Sequence, residues 1–459
     1  MLMSSTATST PIHETVARLG RQRGAPRYFV NTRYLDRAGF QHGQWLSFQI
    51  GDGTLTISVA EAPTGKRVQE KNGHPLIDLN AKFLAQVFPQ TSTIHVRVSE
   101  RQIVLSAHPL DHATRDRPRD RSMASVFSGA GMLDQAGVTA GFECKWGIEI
   151  DRRVADVFAE NHPRATVYEM SAHEAAFTNL RPVELLVMGL PCQPWSTART
   201  LNSDGSKRDR SRPATEHPLG DMALWAFLII ARVNPRTIVL ECAPAFKDNE
   251  LWASLTGALR RFGYKVDSRV LNSFEFGAFT ARRRTVLVAT TPDPDSEPVD
   301  PWPTPLPEGA RRRTFSEFAD SEVGESDFWD RVTKSWVFRC NERNAAKGNG
   351  FGFQVVRSDS VKCGVLTAEY GQVKNDQPVV AHPTRPDCYR YLTIREGRSI
   401  FGLPDSYVLP KAKGFAWQLL GQGVYVPLFT AIIRQATTTC PKSAASNDEL
   451  LAELRPSAN

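Results

Sequence analysis

A doubly wound, mostly parallel α/β sheet is the fold class predicted for the chain from Met123 onward. Two observations predict it. Short apolar strands alternate there with helical segments, as in strand–helix–strand units. The chemically distinctive residues fall at the carboxyl ends of those strands, where such sheets bind ligands. The remainder follows from length: 459 residues exceed what one hydrophobic core usually supports, so about three domains are expected. A second, smaller domain and an N-terminal β-rich module therefore accompany the α/β domain.

The N-terminal module comes first, at residues 1–121. Leu46, Phe48 and Ile50 alternate with polar residues up to a Gly51-Asp52-Gly53 turn, and Leu55, Ile57 and Val59 alternate after it. That is the pattern of a hairpin. Forty-eight residues later Ile94, Val96 and Val98, a Ser99-Glu100-Arg101 turn, and Ile103, Leu105 and Ala107 repeat it. Phe40 and Phe88 precede the two hairpins at the same offset. The repeat predicts a duplicated strand–turn–strand unit whose copies bury their apolar faces against each other, since one hairpin alone is marginal. The stretch 112–121 has alternating charge and Pro118, which reads as a solvated hinge.

The α/β domain spans 122–290. Its strands are predicted at Ala124–Phe127, Lys145–Ile150, Val183–Met188, Thr237–Leu240 and Thr285–Ala289. Helices are predicted at Arg152–Asn161, Asp221–Val233 and Asn249–Phe262. Residues 291–385 break the alternation with seven prolines between Pro292 and Pro307, then Arg311-Arg312-Arg313, and read as the smaller domain. Sheet-compatible segments resume in 386–435, which returns to the α/β domain. The tail 436–459 holds one short predicted helix, Asn447–Leu454.

Composition bounds the function. An apolar fraction of 41% and a charged fraction of 23% exclude a disordered or fibrous chain. No apolar run approaches the roughly 18–20 residues of a membrane span, and the N-terminus lacks a signal-peptide pattern, so no membrane role is expected. Seven scattered cysteines form no close pair, which argues for a reducing cytosol and against a disulfide scaffold or a metal site. The formal charge of +7 and pI near 9.0 lean toward a polyanionic partner.

Three features could carry chemistry. The turn Phe127-Ser128-Gly129-Ala130-Gly131 after a strand lets backbone approach a nucleotide-type cofactor, although the full G-x-G-x-x-G pattern is absent because position 134 is Asp. Glu149, ending the next strand, suits a ribose diol; its alternative is an N-terminal acid for the following helix. Cys192 lies in Pro191-Cys192-Gln193-Pro194 past a buried strand. It reads either as a reactive thiol or as a buried inert one. After it, residues 196–215 carry Arg199, Lys207, Arg208, Arg210 and Arg212 against Asp204 and Asp209, a basic loop suited to closing over a polyanion.

Taken together, in order and spacing from Met123 to about Gln435, the motifs resemble the DNA (cytosine-5) methyltransferase family. Phe127–Gly131 matches its cofactor loop, Glu149-Ile150-Asp151 its acidic strand end, and Pro191-Cys192-Gln193 its nucleophile motif. Glu241-Cys242-Ala243 stands in the place of Glu-Asn-Val, and Thr280-Ala281-Arg282-Arg283-Arg284 in that of Gln-x-Arg-x-Arg. The stretch Arg390–Glu396, with Phe401-Gly402-Leu403-Pro404-Asp405, matches the late structural motif, and Gly421-Gln422-Gly423-Val424 the final Gly-Asn-x-Val. Cys242, Thr280, Met132 and Gln422 depart from the family pattern. The N-terminal region resembles SymE/AbrB-type swapped-hairpin families in TRYLDRAGFQHGQW and LIDLNAKFLAQVF; a small β-barrel serving docking or structure is its alternative.

The first resemblance implies the S-adenosyl-L-methionine-dependent methyltransferase fold and that cofactor. It implies Cys192, Glu241, Arg282 and Arg284 as catalytic residues. It implies cofactor contacts for Phe127, Ser128, Gly129, Gly131, Glu149, Ile150, Glu169, Pro191, Gln422 and Val424. Duplex DNA would meet Gln193, Ser196, the basic loop, and Lys334, Arg339 and Arg343 in a target-recognition domain at 291–385. The implied protein is a bacterial, cytoplasmic, nucleoid-associated monomer that methylates cytosine C5 in a short specific site, with a cognate restriction endonuclease as partner. An RNA cytosine-5 methyltransferase and a catalytically weakened DNA-binding regulator are the competing readings.

Overall fold

The computed structural model describes residues 11–22, 24–51, 54–63, 66–80, 84, 87–88, 93–108, 117–195, 217–291, 296–297, 299–347, 354–372, 377–438 and 440–441. The chain divides into two compact units, Met1–Asp116 and Arg117–Asn459.

In the first unit, nine strands run in order: β1 (His13–Arg18), β2 (Gly20–Gln22), β3 (Ala25–Asn31), β4 (Trp45–Gly51), β5 (Thr54–Ala60), β6 (Gln69–Lys71), β7 (His74–Leu79), β8 (Thr93–Ser99) and β9 (Gln102–Ala107). They form two sheets, ordered β1-β8-β9-β5-β4 and β2-β3-β7-β6. The hairpins β4–β5 and β8–β9 join through antiparallel β5 and β9, which pair Leu55 with Leu105 and Ile57 with Ile103. Each residue faces the repeat counterpart of its neighbour, as across a twofold axis. β3 and β7 obey the same rule, pairing Val30 with Ile77 and Phe29 with Asp78. Ile94, Val96, Val98, Ile103, Leu105, Leu55 and Ile57 share one core, because alternate strand residues point to one face. The halves differ at their edges. Val98 is buried under β1, while its counterpart Ile50 on edge strand β4 is 54% exposed.

The second unit is built on a seven-stranded sheet: β10 (Ser122–Val126), β11 (Glu143–Glu149), β12 (Thr166–Glu169), β13 (Leu185–Gly189), β14 (Thr237–Cys242), β15 (Lys265–Asn272) and β16 (Arg283–Thr290). Their order is β12-β11-β10-β13-β14-β16-β15. The first five are parallel, while β16 runs antiparallel to both β14 and β15. A short connection through Ser273–Phe276 joins β15 to β16, too short for a crossover, so they must form an antiparallel pair. Sequence periodicity does not reveal β12 or β15. β12 has four residues, and β15 is an edge strand with mostly polar, exposed side chains.

Both faces of the sheet are covered, which explains the continuous apolar strands. Met123, Leu185, Val187 and Val239 enter one core, and Ala124, Val126, Leu186, Met188, Ile238 and Leu240 the other. The helix Met222–Val233 buries Ala226, Ile229, Ile230 and Val233 in the second core. The stretch Lys413–Ala436 is long and apolar enough for a membrane span by length and composition, contrary to the sequence expectation. It forms two helices, Lys413–Gln422 and Val426–Ala436, and 67% of its most apolar window is buried inside the fold. Trp417, Leu420, Phe429 and Ile432 there belong to the first core.

A small four-stranded sheet orders Trp329–Asp330, Cys388–Arg390, Val379–Ala381 and Val355–Val356. Cys388–Arg390 pairs within this sheet although the sequence boundary at 386 assigns it to the α/β domain. The helix predicted at Asn447–Leu454 lies outside the described residues. Arg390 and Glu396 lock this region to the helix Ile394–Ile400 by a two-pronged ion pair, with N–O distances of 2.8 and 2.7 Å. Glu396 is fully buried and also accepts from the Thr393 and Asp320 amides at 2.9 and 3.1 Å. Glu396→Ala is expected to cost about 3–5 kcal/mol of stability, read as a lower urea midpoint, because it strands a buried guanidinium. The double replacement Arg390→Met with Glu396→Leu is expected to recover most of that loss.

Candidate active site

The carboxyl ends of β10, β11, β13 and β14 open onto one cavity of about 380 Å³. That is within the usual range for small-molecule sites. Its wall is built from the turn after β10, the end of β11, the Leu190–Gln193 segment, Glu241, Arg284 and Gln422–Val424.

The glycine turn is shaped by backbone geometry. Phe127 holds φ at +55° and Gly129 at +56°, and nothing lies within 4 Å of where a Gly129 side chain would begin. That open space lets a ligand approach the backbone. Ser128 faces the cavity, but its hydroxyl is occupied: it receives a hydrogen bond from Ser125 at 2.6 Å and donates to the Ile148 carbonyl at 3.1 Å. Gly131 does not reach the wall. A side chain there would meet His162 at 2.4 Å, so its smallness permits close packing of the turn on the helix Arg152–Asn161.

Glu149 accepts from the Gly129 and Asp151 amides, each at 2.9 Å. Burial pushes its carboxyl above the ordinary range, against these hydrogen bonds. Asp151 caps the following helix through the Arg153 amide at 2.9 Å. The helix-terminal role weighed for Glu149 is thus filled by its neighbour. Ile150 lines the cavity and is 69% exposed, an apolar surface at its mouth. Glu169 is exposed and ends β12, and Met170, Ser171 and Ala172, which follow it, line the cavity. Gln422 and Val424 both line the cavity.

Cys192 follows β13, with Pro191 and Gln193 in the wall beside it. Its carbonyl accepts from the Trp195 amide at 3.1 Å, and the Trp195 ring packs 4.5 Å from Phe246. This anchors the turn. Burial pushes the Cys192 thiol up, Glu241 adds to the effect, and Arg284 and Arg282 oppose it. Glu241 is paired with the Arg284 guanidinium. Gly189 pairs with Glu241 in the sheet and lines the same cavity. Arg282 lies outside the main cavity. It is 6% exposed and donates to the Leu366 carbonyl at 3.3 Å and to that of Gly421. Burial pulls its guanidinium down to about 9, with Arg284 contributing.

The departures from the family pattern have structural work. Thr280 donates to the Gly364 carbonyl at 3.1 Å, and Cys242 is buried in the apolar core. Ser196, Arg199, Lys207, Arg208, Arg210 and Arg212 lie outside the described residues. Lys334 sits over the Trp329 ring at 5.6 Å, while Arg339 and Arg343 are exposed on the helix Ser335–Ala346. Sequence reasoning missed Leu190 and Leu419 as wall residues; plain apolar side chains carry no signal of their own.

In this fold the glycine turn, Glu149 and the Cys192 thiol share one chamber at the carboxyl ends of the parallel strands. Residues 122–438 match the family model described as C-5 cytosine-specific DNA methylase. The chain is 25% identical over 325 residues to the Type II methyltransferase M.NlaX of Neisseria lactamica, covering 68% of this chain and 94% of that relative. It is 23% identical over 318 residues to M.DsaV of Dactylococcopsis salina, covering 68% and 84%. The solved structure of a DNMT2 variant from Spodoptera frugiperda aligns with a TM-score of 0.52 at 17% identity, covering 69% of this chain and 99% of that one, and shares the fold.

The chain belongs to the C-5 cytosine-specific DNA methylase family. It is a DNA (cytosine-5-)-methyltransferase that uses S-adenosyl-L-methionine and acts on double-stranded DNA. The cavity fits that cofactor: an open Gly129 cradle, the Glu149 carboxylate and the exposed Ile150 side chain converge on it. The thiol's environment sets a test. Glu241→Gln is expected to move the pH midpoint of Cys192 alkylation down, and Arg284→Ala to move it up, measured by mass spectrometry of the iodoacetamide adduct.

Proposed function

We propose that Cys192 is the nucleophile, Glu241 the acid and Arg284 the base-orienting residue of this methyltransferase, with Arg282 as a positioning residue. The observation that carries this reading is the convergence of Cys192, Glu241 and Arg284 on one cavity wall with the cofactor cradle. Cytosine C5 is too electron-poor to attack a methyl donor directly. The Cys192 thiolate adds to C6, and electron density moves into the ring so that C5 becomes nucleophilic. S-adenosylmethionine supplies the electrophilic methyl group that C5 takes. The donor leaves as S-adenosylhomocysteine, a solvent-derived base takes the C5 proton, and the electron pair of that C–H bond expels the Cys192 thiolate from C6, which restores the aromatic ring. During addition Glu241 shares a proton with N3, and Arg284 offers its guanidinium to O2.

The base cannot reach Cys192 within a duplex, so it must be swung out, at a cost of a few kcal/mol. We assign target recognition to the smaller domain and read the substrate as a short specific duplex site. The Type II relatives support pairing with a restriction endonuclease, or a role in host self-modification. A monomer in the bacterial cytosol, where the DNA lies, completes the reading. The weakened-regulator alternative loses its main support, since Thr280 and Cys242 have packing roles that leave Glu241 and Arg284 in place.

Expression in a methylation-free host followed by bisulfite sequencing is expected to reveal one protected motif. Duplex carrying 5-fluorocytosine at that motif is expected to stay joined to the protein on a denaturing gel, through residue 192. Cys192→Ser should give no adduct and lose at least about a thousandfold in rate. Glu241→Gln should lose about a hundredfold or more in kcat.

A further inference from the structure

We propose that the helix Ser335–Ala346 meets duplex DNA along a single stripe formed by Trp336, Arg339, Arg343 and the following Lys347. The proposal rests on the DNA methyltransferase reading and identifies one reading element of its smaller domain.

At 100° per residue these four positions fall within an arc of about 80° and extend over about 16 Å of helix axis. All four are exposed, Trp336 by 49%. The opposite side of the helix is its anchor. Phe338 is 8% exposed and packs 6.1 Å from Trp329 and 5.4 Å from Tyr389, on two strands of the small sheet. The element carrying the stripe is therefore held in a fixed orientation.

Several cations near the helix are engaged within the fold. Arg331 pairs with Glu342 and covers the Phe338 ring, Lys334 covers Trp329, Arg312 covers Phe274, and Arg313 covers Phe318. The pairing with Arg331 also occupies the helix's own carboxylate, Glu342, which lies off the stripe. Among the described residues, Arg339, Arg343 and Lys347 make no ion pair; Arg343 donates only to the Cys340 sulfur, at 3.2 Å.

Three uncompensated cations on one rigid face are complementary to a polyanion. An indole left in water among them is a poor choice for a solvated surface. It is a good one for contact with sugars and bases, where its flat apolar ring can pack. The major groove of a duplex admits one α-helix, and arginine is the commonest reader of guanine edges and phosphates.

The test uses the full-length protein and the motif found by bisulfite sequencing. Trp336→Ala, Arg339→Ala, Arg343→Ala and the combined triple variant are compared with wild type for duplex affinity across a salt series. The triple variant is expected to bind at least about tenfold more weakly. The slope of log affinity against log salt is expected to fall by about two as two phosphate contacts vanish, or methylation to spread to sites differing at one position if the arginines read bases. Binding of S-adenosylmethionine should stay unchanged, and KM for DNA should rise more than kcat falls. A triple variant with wild-type affinity, salt slope and site choice overturns the proposal. A wild-type protein that methylates no duplex overturns instead the activity on which it rests.

Discussion

The buried guanidinium of Arg282 is the constraint on which the site depends. It is a cation in the interior, held by the carbonyls of Leu366 and Gly421 through its two terminal nitrogens, while its Nε is buried without a hydrogen-bond partner among the described residues. Burying a charge on such terms is costly unless the geometry is fixed from several sides. Here β16, the segment at Leu366 and the helix Lys413–Gln422 must all be in place together. Gly421 has no freedom either, since a side chain there would meet the Ala368 amide at 2.2 Å. Arg284 follows two residues later, on β16, whose first residue is Arg283, so a clamp on Arg282 also fixes where Arg284 begins. The Gln422–Val424 wall starts one residue past the clamped carbonyl. Chemistry contributed by distant parts of the chain is thereby held to one geometry.

The Glu241 carboxylate and the Arg284 guanidinium satisfy each other. That pairing keeps two polar groups from being stranded in a partly dry cavity. Burial pushes the Cys192 thiol up, and the same carboxylate adds to that effect while Arg284 and Arg282 oppose it.

Much of this was legible in the sequence, and the rest was hidden for physical reasons. The strands β10, β11, β13 and β14 announce themselves because both of their faces are buried. Glu149, Cys192, Glu241 and Arg284 were legible because each sits at a strand end or in a turn, where side chains have little else to do. β15 was not, because an edge strand with a wet face resembles a polar loop. Gly131 was assigned by motif position, yet its packing against His162 takes it out of the wall. The basic loop lies outside the described residues and adds no geometry.

The first unit pairs two copies of one strand pattern about an internal twofold, but both copies lie on a single polypeptide. A true homodimer must spend every substitution twice, so a change that helps one half is imposed on the other. Fusion removes that constraint. Ile50 and Val98 have already parted, one left in water and the other covered by a strand that lies outside the repeat. A fold born symmetric can thus present two unlike edges without losing the shared core that makes it stable.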